Sequence, residues 1–146
     1  MALPALPMSR ADWEALLKEY FAGWSTMDPE KVRHMYDPSS VSYFFDMGYA
    51  HRDFDEYARA AAKRMEQFSS FEVELKELLS VVQSHGGDMV TTVDICTVRV
   101  QMKKPPSEKP PKPFEALHTV VWRRHPDRRW LIAHEHQSQV AIQNHA

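Results

Sequence analysis

Apolar residues in the first part of the chain recur at intervals of three and four positions, which is the period of an α-helix. The spacing predicts an amphipathic helix over roughly residues 10–26, with one apolar stripe facing a core. The residues of that stripe are Trp13, Leu16, Leu17, Tyr20, Trp24 and Met27.

Two more helices are predicted before residue 70, with a short strand between them. In MDPEKVRHMY, Asp28 can cap a second helix and Pro29 suits its first position. Asp53 and Glu56 form a capping signal for a third helix. VSYFFDM, residues 41–47, favours a strand, and the following GYAHR favours a loop.

From residue 71 onward the pattern changes to runs rich in Val, Ile, Thr and aromatic residues, which are typical of strands. Four such runs follow one another, FEVELKELLSVVQSH, DMVTTVDICTVRVQM, FEALHTVVWRRH and RWLIAHEHQSQVAI, and GGD and HPDRR favour turns between them. Three helices followed by an antiparallel meander predict an α+β fold, in which the helices pack on one face of the sheet.

The composition fits one globular domain. The chain has 146 residues, of which 43% are hydrophobic and 26% charged, enough to bury a core without the signature of disorder. A formal charge of −2 gives no field that would attract nucleic acid or an anionic membrane.

No apolar run is long enough to span a bilayer. Cys96 is the single cysteine, so no intramolecular disulfide can form, and we expect a cytoplasmic protein.

The domain is expected to span residues 10–142, preceded by a flexible N-terminus at 1–9. Within it, KKPPSEKPPKP at 103–113 contains five prolines and four lysines. Because proline cannot donate to a strand ladder, this segment is predicted to be a solvated hairpin loop that serves as a linker or a docking site.

The order of these elements and the closing motif WLIAHEHQS resemble the SnoaL-like branch of the nuclear transport factor two-like superfamily. That superfamily includes ketosteroid isomerase, scytalone dehydratase, SnoaL-type polyketide cyclases and the association domain of calcium/calmodulin-dependent kinase. The resemblance covers about residues 13–140. It implies a cone-shaped fold with three N-terminal helices packed on a strongly curved, mainly antiparallel sheet and a cavity between them. Many activities share that cavity, so the fold does not fix the chemistry.

The resemblance also implies which way the closing strand faces. The family position just before the closing serine points into the cavity, and here it is Gln137. Strand alternation then predicts that Leu131, Ala133 and Glu135 also point inward. On the two preceding strands the same matching points Asp94, Cys96, His118, Val120 and Trp122 inward.

The opposite face of the closing strand is predicted to carry Trp130, Ile132, His134 and His136. Four large or amphipathic side chains on one outer stripe favour a homodimer through this face, as is usual in the family. His134 and His136 could also chelate one metal ion, but a competent site needs a third or fourth ligand. No metal and no other cofactor is therefore predicted.

Asp94, His118 and Glu135 come from three consecutive predicted strands and should converge. Burial raises the pKa of a carboxyl and a facing carboxylate raises that of histidine, so the set could titrate near neutrality and act in general acid–base catalysis. Glu135 and His118 would then be the acid–base pair, and Asp94 would orient the imidazole. The same residues could instead form a satisfied polar network that only fixes the core.

The resemblance to ketosteroid isomerase implies two further catalytic candidates. Tyr20 precedes Asp28 by eight positions, which is the spacing of the isomerase's catalytic tyrosine, so it could donate a hydrogen bond to a substrate oxygen. The isomerase's basic aspartate falls on Phe44, and Asp46 lies two residues on, on the same face of the strand. The isomerase's second donor falls on Val120, so steroid isomerase activity itself is not predicted.

Other residues are implied to bind substrate. The pocket arginines of the kinase association domain fall on Cys96, Val120 and Gln137, which removes the expectation of a small carboxylate ligand at those positions. His51 matches a histidine at the mouth of that pocket. The predicted apolar walls are Trp24, Tyr43, Phe44 and Trp122.

Two classes of function follow. The first is a cofactor-free enzyme (a cyclase, an isomerase or a dehydratase-type lyase) that moves protons on a small, apolar, oxygenated molecule. The second is a non-catalytic domain for small-molecule binding or oligomerisation. They differ in whether an open cavity exposes Asp94, His118 and Glu135.

Overall fold

The structure is a computed structural model that describes residues 8–39, 44–46, 48–104 and 112–140, with only the backbone described at 44–46. Most of the predicted flexible terminus, most of the proline- and lysine-rich loop, and Tyr43 lie outside the described residues. No helix among the described residues is long and apolar enough to cross a membrane.

Helix α1 spans Arg10–Trp24 and begins with a capping box. The Ser9 hydroxyl accepts a hydrogen bond from the Asp12 backbone N–H, and the Asp12 carboxylate accepts one from the Ser9 backbone N–H. A Cβ at Gly23 would lie 2.5 Å from Val32 Cγ1, so glycine permits the close approach of the next segment. The predicted apolar stripe is largely confirmed, because α1 buries Trp13, Leu17, Tyr20, Phe21 and Trp24.

The predicted second helix is instead two 3₁₀ turns, Pro29–Lys31 and Arg33–Met35. Asp28 caps the first turn through the backbone N–H of Glu30, as the sequence indicates. Val32 joins the turns with a φ of −112°, outside the α-helical range. A β-branched residue in a stretch this short cannot support a cooperative α-helix, and i→i+3 bonds replace it.

The GYAHR segment is not a simple loop. Tyr49–His51 forms strand β2, which pairs antiparallel with strand β1, Phe44–Asp46. Gly48 lies between them with a φ of +92°, a conformation that glycine adopts without steric cost. Helix α2, Phe54–Met65, follows and is capped by Asp53 as predicted.

Four long antiparallel strands complete the sheet: β3 at Phe68–Gln83, β4 at Met89–Met102, β5 at Phe114–Arg124 and β6 at Trp130–Gln139. The strand order is β2-β1-β6-β5-β4-β3, and β1 runs parallel to β6. The chain therefore has an α+β fold with a mainly antiparallel sheet. We call the side of the sheet that contacts the helices the inner face and the other side the outer face.

A β-bulge in β6 corrects the predicted facing of its first residues. Val121 pairs with His134 but Trp122 pairs with Ile132, so Ala133 is the extra residue. The bulge reverses the alternation, and Ile132 lies fully buried in the core. Trp130 packs edge-on against Trp13 of α1, with ring centroids 5.4 Å apart. Neither Trp130 nor Ile132 is on the outer face, contrary to the prediction.

Candidate active site

Asp94, His118 and Glu135 meet on the inner face of the sheet, and none of the three is more than 1% exposed. His118 Nδ1 lies 2.8 Å from Asp94 Oδ2, and His118 Nε2 lies 2.6 Å from Glu135 Oε2. Both ring nitrogens therefore face carboxylates, an arrangement in which an imidazolium donates to each. The predicted convergence of these residues, and the inward facing of Glu135, are confirmed.

The strand register brings the three side chains together. Asp94 on β4 and His118 on β5 are direct partners. Glu135 on β6 pairs with Val120, two positions along β5 from His118 and therefore on the same face. We call Asp94, His118 and Glu135 the triad.

Two tyrosine hydroxyls complete the hydrogen bonding of Glu135. The Tyr20 hydroxyl donates to Glu135 Oε2, and the Tyr20 ring stacks on the His118 imidazole with centroids 5.3 Å apart and planes 16° apart. The Tyr36 hydroxyl donates to Glu135 Oε1 at 2.7 Å and lies 3.3 Å from the Tyr20 hydroxyl. Tyr36 ends the apolar pattern of MDPEKVRHMY and was not among the predicted site residues, so its part in the site was missed.

The charges of the triad differ from the expectation that it titrates near neutrality. Burial alone would lower the pKa of His118, but the Asp94 and Glu135 carboxylates outweigh burial and raise that pKa to about 10. The imidazole is therefore protonated at neutral pH. It acts as a fixed cation between two carboxylates.

The pKa of Glu135 shifts the other way. Burial would raise it, but the hydrogen bond and charge of His118, with the two tyrosine hydroxyls, lower it below its ordinary value. Burial and the adjacent Glu135 raise the pKa of Tyr20 and of Tyr36 well above 10.0. At neutral pH both phenols are thus neutral donors to an ionised Glu135.

A cavity of about 230 Å³ opens between the two helices and the sheet. We call it the central cavity. Tyr20 is in its wall, whereas Asp94, His118 and Glu135 are not among the described residues that line it. The lining residues are Tyr20, Phe21, Trp24, Tyr49, Tyr57, Ala61, Arg64, Met65, Phe68, Phe71, Val73, Val98, Val100, Phe114 and Gln137.

Of the other predicted site residues, Trp24 and Gln137 also line the central cavity. The Gln137 amide donates to Cys96 Sγ at 3.5 Å, and burial raises the pKa of that thiol to about 12, so Cys96 is not a thiolate nucleophile. Phe44 and Asp46 lie beside Glu135 and Gln137 in the parallel β1–β6 pairing, with only their backbones described.

Four predicted binding residues are placed behind the cavity wall rather than in it. Cys96, Val120 and Trp122 are completely buried. The described lining comes instead mainly from α1, α2, the first residues of β3 and the last residues of β4. Trp122 donates its indole N–H to Thr92 at 2.9 Å and packs on Trp13. His51 is 6% exposed and stacks on Tyr57 at 5.2 Å, so it is buried and not at the cavity mouth.

His134 and His136 face away from the triad, as predicted, since their β5 partners Val121 and Thr119 alternate with inward His118 and Val120. Across the described residues, no three side chains from His, Cys, Asp and Glu are arranged to hold a metal ion.

The chain matches a family model described as SnoaL-like domain over residues 14–143. None of the curated proteins matches it. The family match covers most of α1 and all of α2 and the sheet, and so includes the triad and the residues that line the central cavity.

Solved structures share the fold at low sequence identity. A nuclear transport factor 2-like superfamily protein from Salmonella enterica is 15% identical, with a TM-score of 0.75 over 94% of this chain and 98% of that one. A Xanthomonas campestris protein provisionally called a calcium/calmodulin dependent protein kinase II association domain is 17% identical, with a TM-score of 0.72 over 98% and 95%. A Streptomyces avermitilis protein provisionally called a dehydratase is 17% identical, with a TM-score of 0.69 over 91% and 95%.

Proposed function

The chain belongs to the SnoaL-like domain family. We propose that it is a cofactor-free acid–base enzyme acting on a small, largely apolar, oxygenated molecule in the central cavity. The reaction is a cyclisation, an isomerisation or a dehydration. The solved relative provisionally called a dehydratase supports this class of chemistry for the fold, although the likeness itself extends to the fold alone.

One observation carries the proposal: Tyr20 belongs both to the wall of the central cavity and to the hydrogen bonds of the triad. The triad is sealed from the cavity, so a substrate cannot touch Glu135 or His118 directly. Tyr20 is then the catalytic residue that meets the substrate. Glu135 acts through it, and His118 and Asp94 hold Glu135 in place.

The proton transfers balance through Tyr20. Its hydroxyl hydrogen is donated to Glu135, so the lone pairs of its oxygen are the groups available to a ligand. A substrate hydroxyl, or a C–H next to a carbonyl, gives its proton to the Tyr20 oxygen as the phenol proton passes to Glu135. One O–H bond forms on Tyr20 while the other breaks, Glu135 becomes a neutral acid, and the negative charge moves to the substrate.

The return step determines the reaction type. Because the pKa of Glu135 is lowered, the acid form is short-lived and gives its proton back through Tyr20. Return to a different substrate atom completes an isomerisation or a cyclisation. Return to a departing hydroxyl releases water and completes a dehydration.

The same sealing of the triad favours a second candidate function, a non-catalytic binding domain. In that case the triad fixes the core and the central cavity only holds a ligand. The relative provisionally called an association domain supports this alternative as a use of the fold.

Solvent deuterium distinguishes the two functions. A ligand that co-purifies with the protein would be identified by native mass spectrometry and incubated with it in D₂O. A proton-transfer enzyme is expected to return the ligand or its product with deuterium at the exchanged carbon, well above the rate without protein. Tightly bound ligand that is recovered unlabelled and unconverted would support the binding function instead.

A homodimer through the outer face is also proposed, with a corrected set of contacts. With Trp130 and Ile132 on the inner face, the apolar side chains of this surface include Val82, Val93, Ile95, Leu117 and Val121, beside His134 and His136. Val82 is 61% and Leu117 37% exposed in the single chain, and adjacent apolar side chains of this kind favour a partner surface.

Light scattering at high micromolar concentration is expected to give twice the monomer mass. Val82→Glu together with Leu117→Glu should return the monomer, because carboxylates would be buried without partners in the interface. The control Ala62→Glu adds a carboxylate at an exposed position of helix α2, on the other side of the sheet, and should leave the mass unchanged. A wild-type protein that is monomeric at that concentration would contradict the proposal.

A further inference from the structure

The walls of the central cavity are mainly aromatic, and two pairs of rings in them lie nearly parallel. On the helix side, Trp24 and Tyr57 stack with ring centroids 5.3 Å apart and planes 26° apart. On the sheet side, Phe68 and Phe71 of β3 stack with centroids 6.0 Å apart and planes 14° apart. We call these the stacked pairs. Ring faces and edges therefore meet a ligand from both sides, and aromatic groups pack on them better than saturated groups do.

The volume of the cavity limits the size of its ligand. Close-packed molecules fill about three-quarters of the space that they occupy, so a cavity of about 230 Å³ encloses a van der Waals volume of up to about 170 Å³. Two fused six-membered rings with a few substituent atoms fit this limit. Four fused rings, as in a steroid, exceed it.

The polar end of the ligand is determined by Tyr20. This residue is in the cavity wall, and its hydroxyl hydrogen is donated to Glu135 Oε2. The Tyr20 oxygen can therefore only accept a further hydrogen bond. A hydroxyl on the ligand supplies the matching donor, whereas an ether oxygen at the same place would leave two acceptors facing each other.

We propose that the ligand of the central cavity is a hydroxylated aromatic molecule of one or two fused rings. Its hydroxyl donates to the Tyr20 oxygen, and its rings lie between the stacked pairs. This inference rests on the proposed function only in taking the central cavity as the ligand site and Tyr20 as the residue that meets the ligand. It adds the substrate class, namely a size limit, a flat shape and the hydroxyl that orients the molecule.

Matched probes test the proposal by binding alone, measured by calorimetry or ligand-observed NMR on the full chain. The first two are 2-naphthol and trans-2-decalol, which share one ten-carbon skeleton and one hydroxyl but differ in that only the naphthol is aromatic and flat. We expect 2-naphthol to bind about ten-fold more tightly, a difference of about 1.4 kcal/mol.

Two further probes test the hydroxyl and the size limit. The methyl ether 2-methoxynaphthalene has no donor for Tyr20 and should bind about ten-fold more weakly than 2-naphthol. Tyr20→Phe should remove this difference, because it removes the acceptor. Estradiol, a phenol with four fused rings, should not bind up to its solubility limit, although it would gain more from burial if the cavity had room.

Phe71→Leu tests the wall. Leucine keeps this position apolar but has no ring, so the preference for 2-naphthol over trans-2-decalol should fall about three-fold. Trp130→Leu is the matched control, since Trp130 is a half-buried aromatic residue that packs on Trp13 and is not among the described residues lining the central cavity. It should leave the preference within about two-fold of the wild-type value.

Several results would overturn the inference. These are equal or tighter binding of decalol, of the methyl ether or of estradiol, no binding of 2-naphthol at millimolar concentration, or equal effects of the Phe71 and Trp130 changes. Deuterium exchange into a co-purified ligand that has no aromatic ring would also overturn it, but would retain the proposed catalysis. A protein that selects 2-naphthol among the probes but exchanges no deuterium into its own ligand would retain this inference and lose the proposed catalysis.

Discussion

Tyr20→Phe is expected to slow turnover by about 10²–10⁴-fold, the usual contribution of a positioned acid–base group. The substitution removes one oxygen and keeps the ring that stacks on His118 at 5.3 Å. Without the phenol oxygen, no atom connects the substrate to Glu135. The fall should appear in kcat, with KM changed little, because the aromatic wall of the cavity is retained. Steady-state kinetics on the ligand identified by mass spectrometry would measure it.

Tyr57→Phe is the matched control for that experiment. Tyr57 is in the same cavity wall and is 4% exposed, and it stacks on Trp24 rather than on His118. Loss of its hydroxyl should lower kcat less than about ten-fold. Equal effects of the two substitutions would mean that Tyr20 contributes only to the shape of the cavity, and the proton path through Glu135 would be wrong.

The position of the triad could be predicted because the family resemblance implies one inward residue on each strand, and strand alternation then places the others. Once Gln137 is assigned to the inner face, Glu135 follows two residues earlier. His118 and Asp94 follow from their own strands in the same way. The facing of Trp130 and Ile132 could not be predicted, since one extra residue at Ala133 reverses the alternation. Nothing in the apolar sequence around it marks a bulge.

The contents of the cavity wall were harder to predict than the triad, because they depend on how the helices pack on the sheet. Arg64 is charged and was not among the predicted site residues, yet it lies in the cavity wall on the same face of α2 as Ala61, three positions earlier. Tyr36 follows a predicted helix that is two 3₁₀ turns. Its hydroxyl reaches Glu135, 99 positions away in sequence. Such contacts have no local sequence signal.

His118→Gln is expected to destabilise the folded chain by about 3–5 kcal/mol, the usual cost of removing one partner from a buried ion pair. Both carboxylates of the triad lose their cationic partner. Asp94 Oδ2 loses the hydrogen bond that it accepts from His118, and Asp94 Oδ1 is already buried without a hydrogen-bond partner among the described residues. Glu135 keeps its two tyrosine donors but loses the cation.

Urea denaturation would measure the change in the free energy of unfolding. Adding Asp94→Asn and Glu135→Gln to the variant should recover part of it, because no buried charge then remains unpaired.

The pH dependence of wild-type stability tests the charge of His118 directly. The pKa of His118 is raised from 6.5 in the unfolded chain to about 10 in the folded one. The folded state therefore binds more protons between these values, and the stabilisation, fully present below pH 6.5, is lost as pH rises towards 10. From pH 7 to 8.5 the free energy of unfolding should fall by up to about 1.4 kcal/mol per pH unit.

The triple variant has no group in the triad that titrates in this window, so its stability should stay nearly constant. If wild type and triple variant show the same slope, then His118 is neutral in the folded chain. Only the two tyrosine donors and a neutral imidazole would then face Glu135, and no cation would lower its pKa.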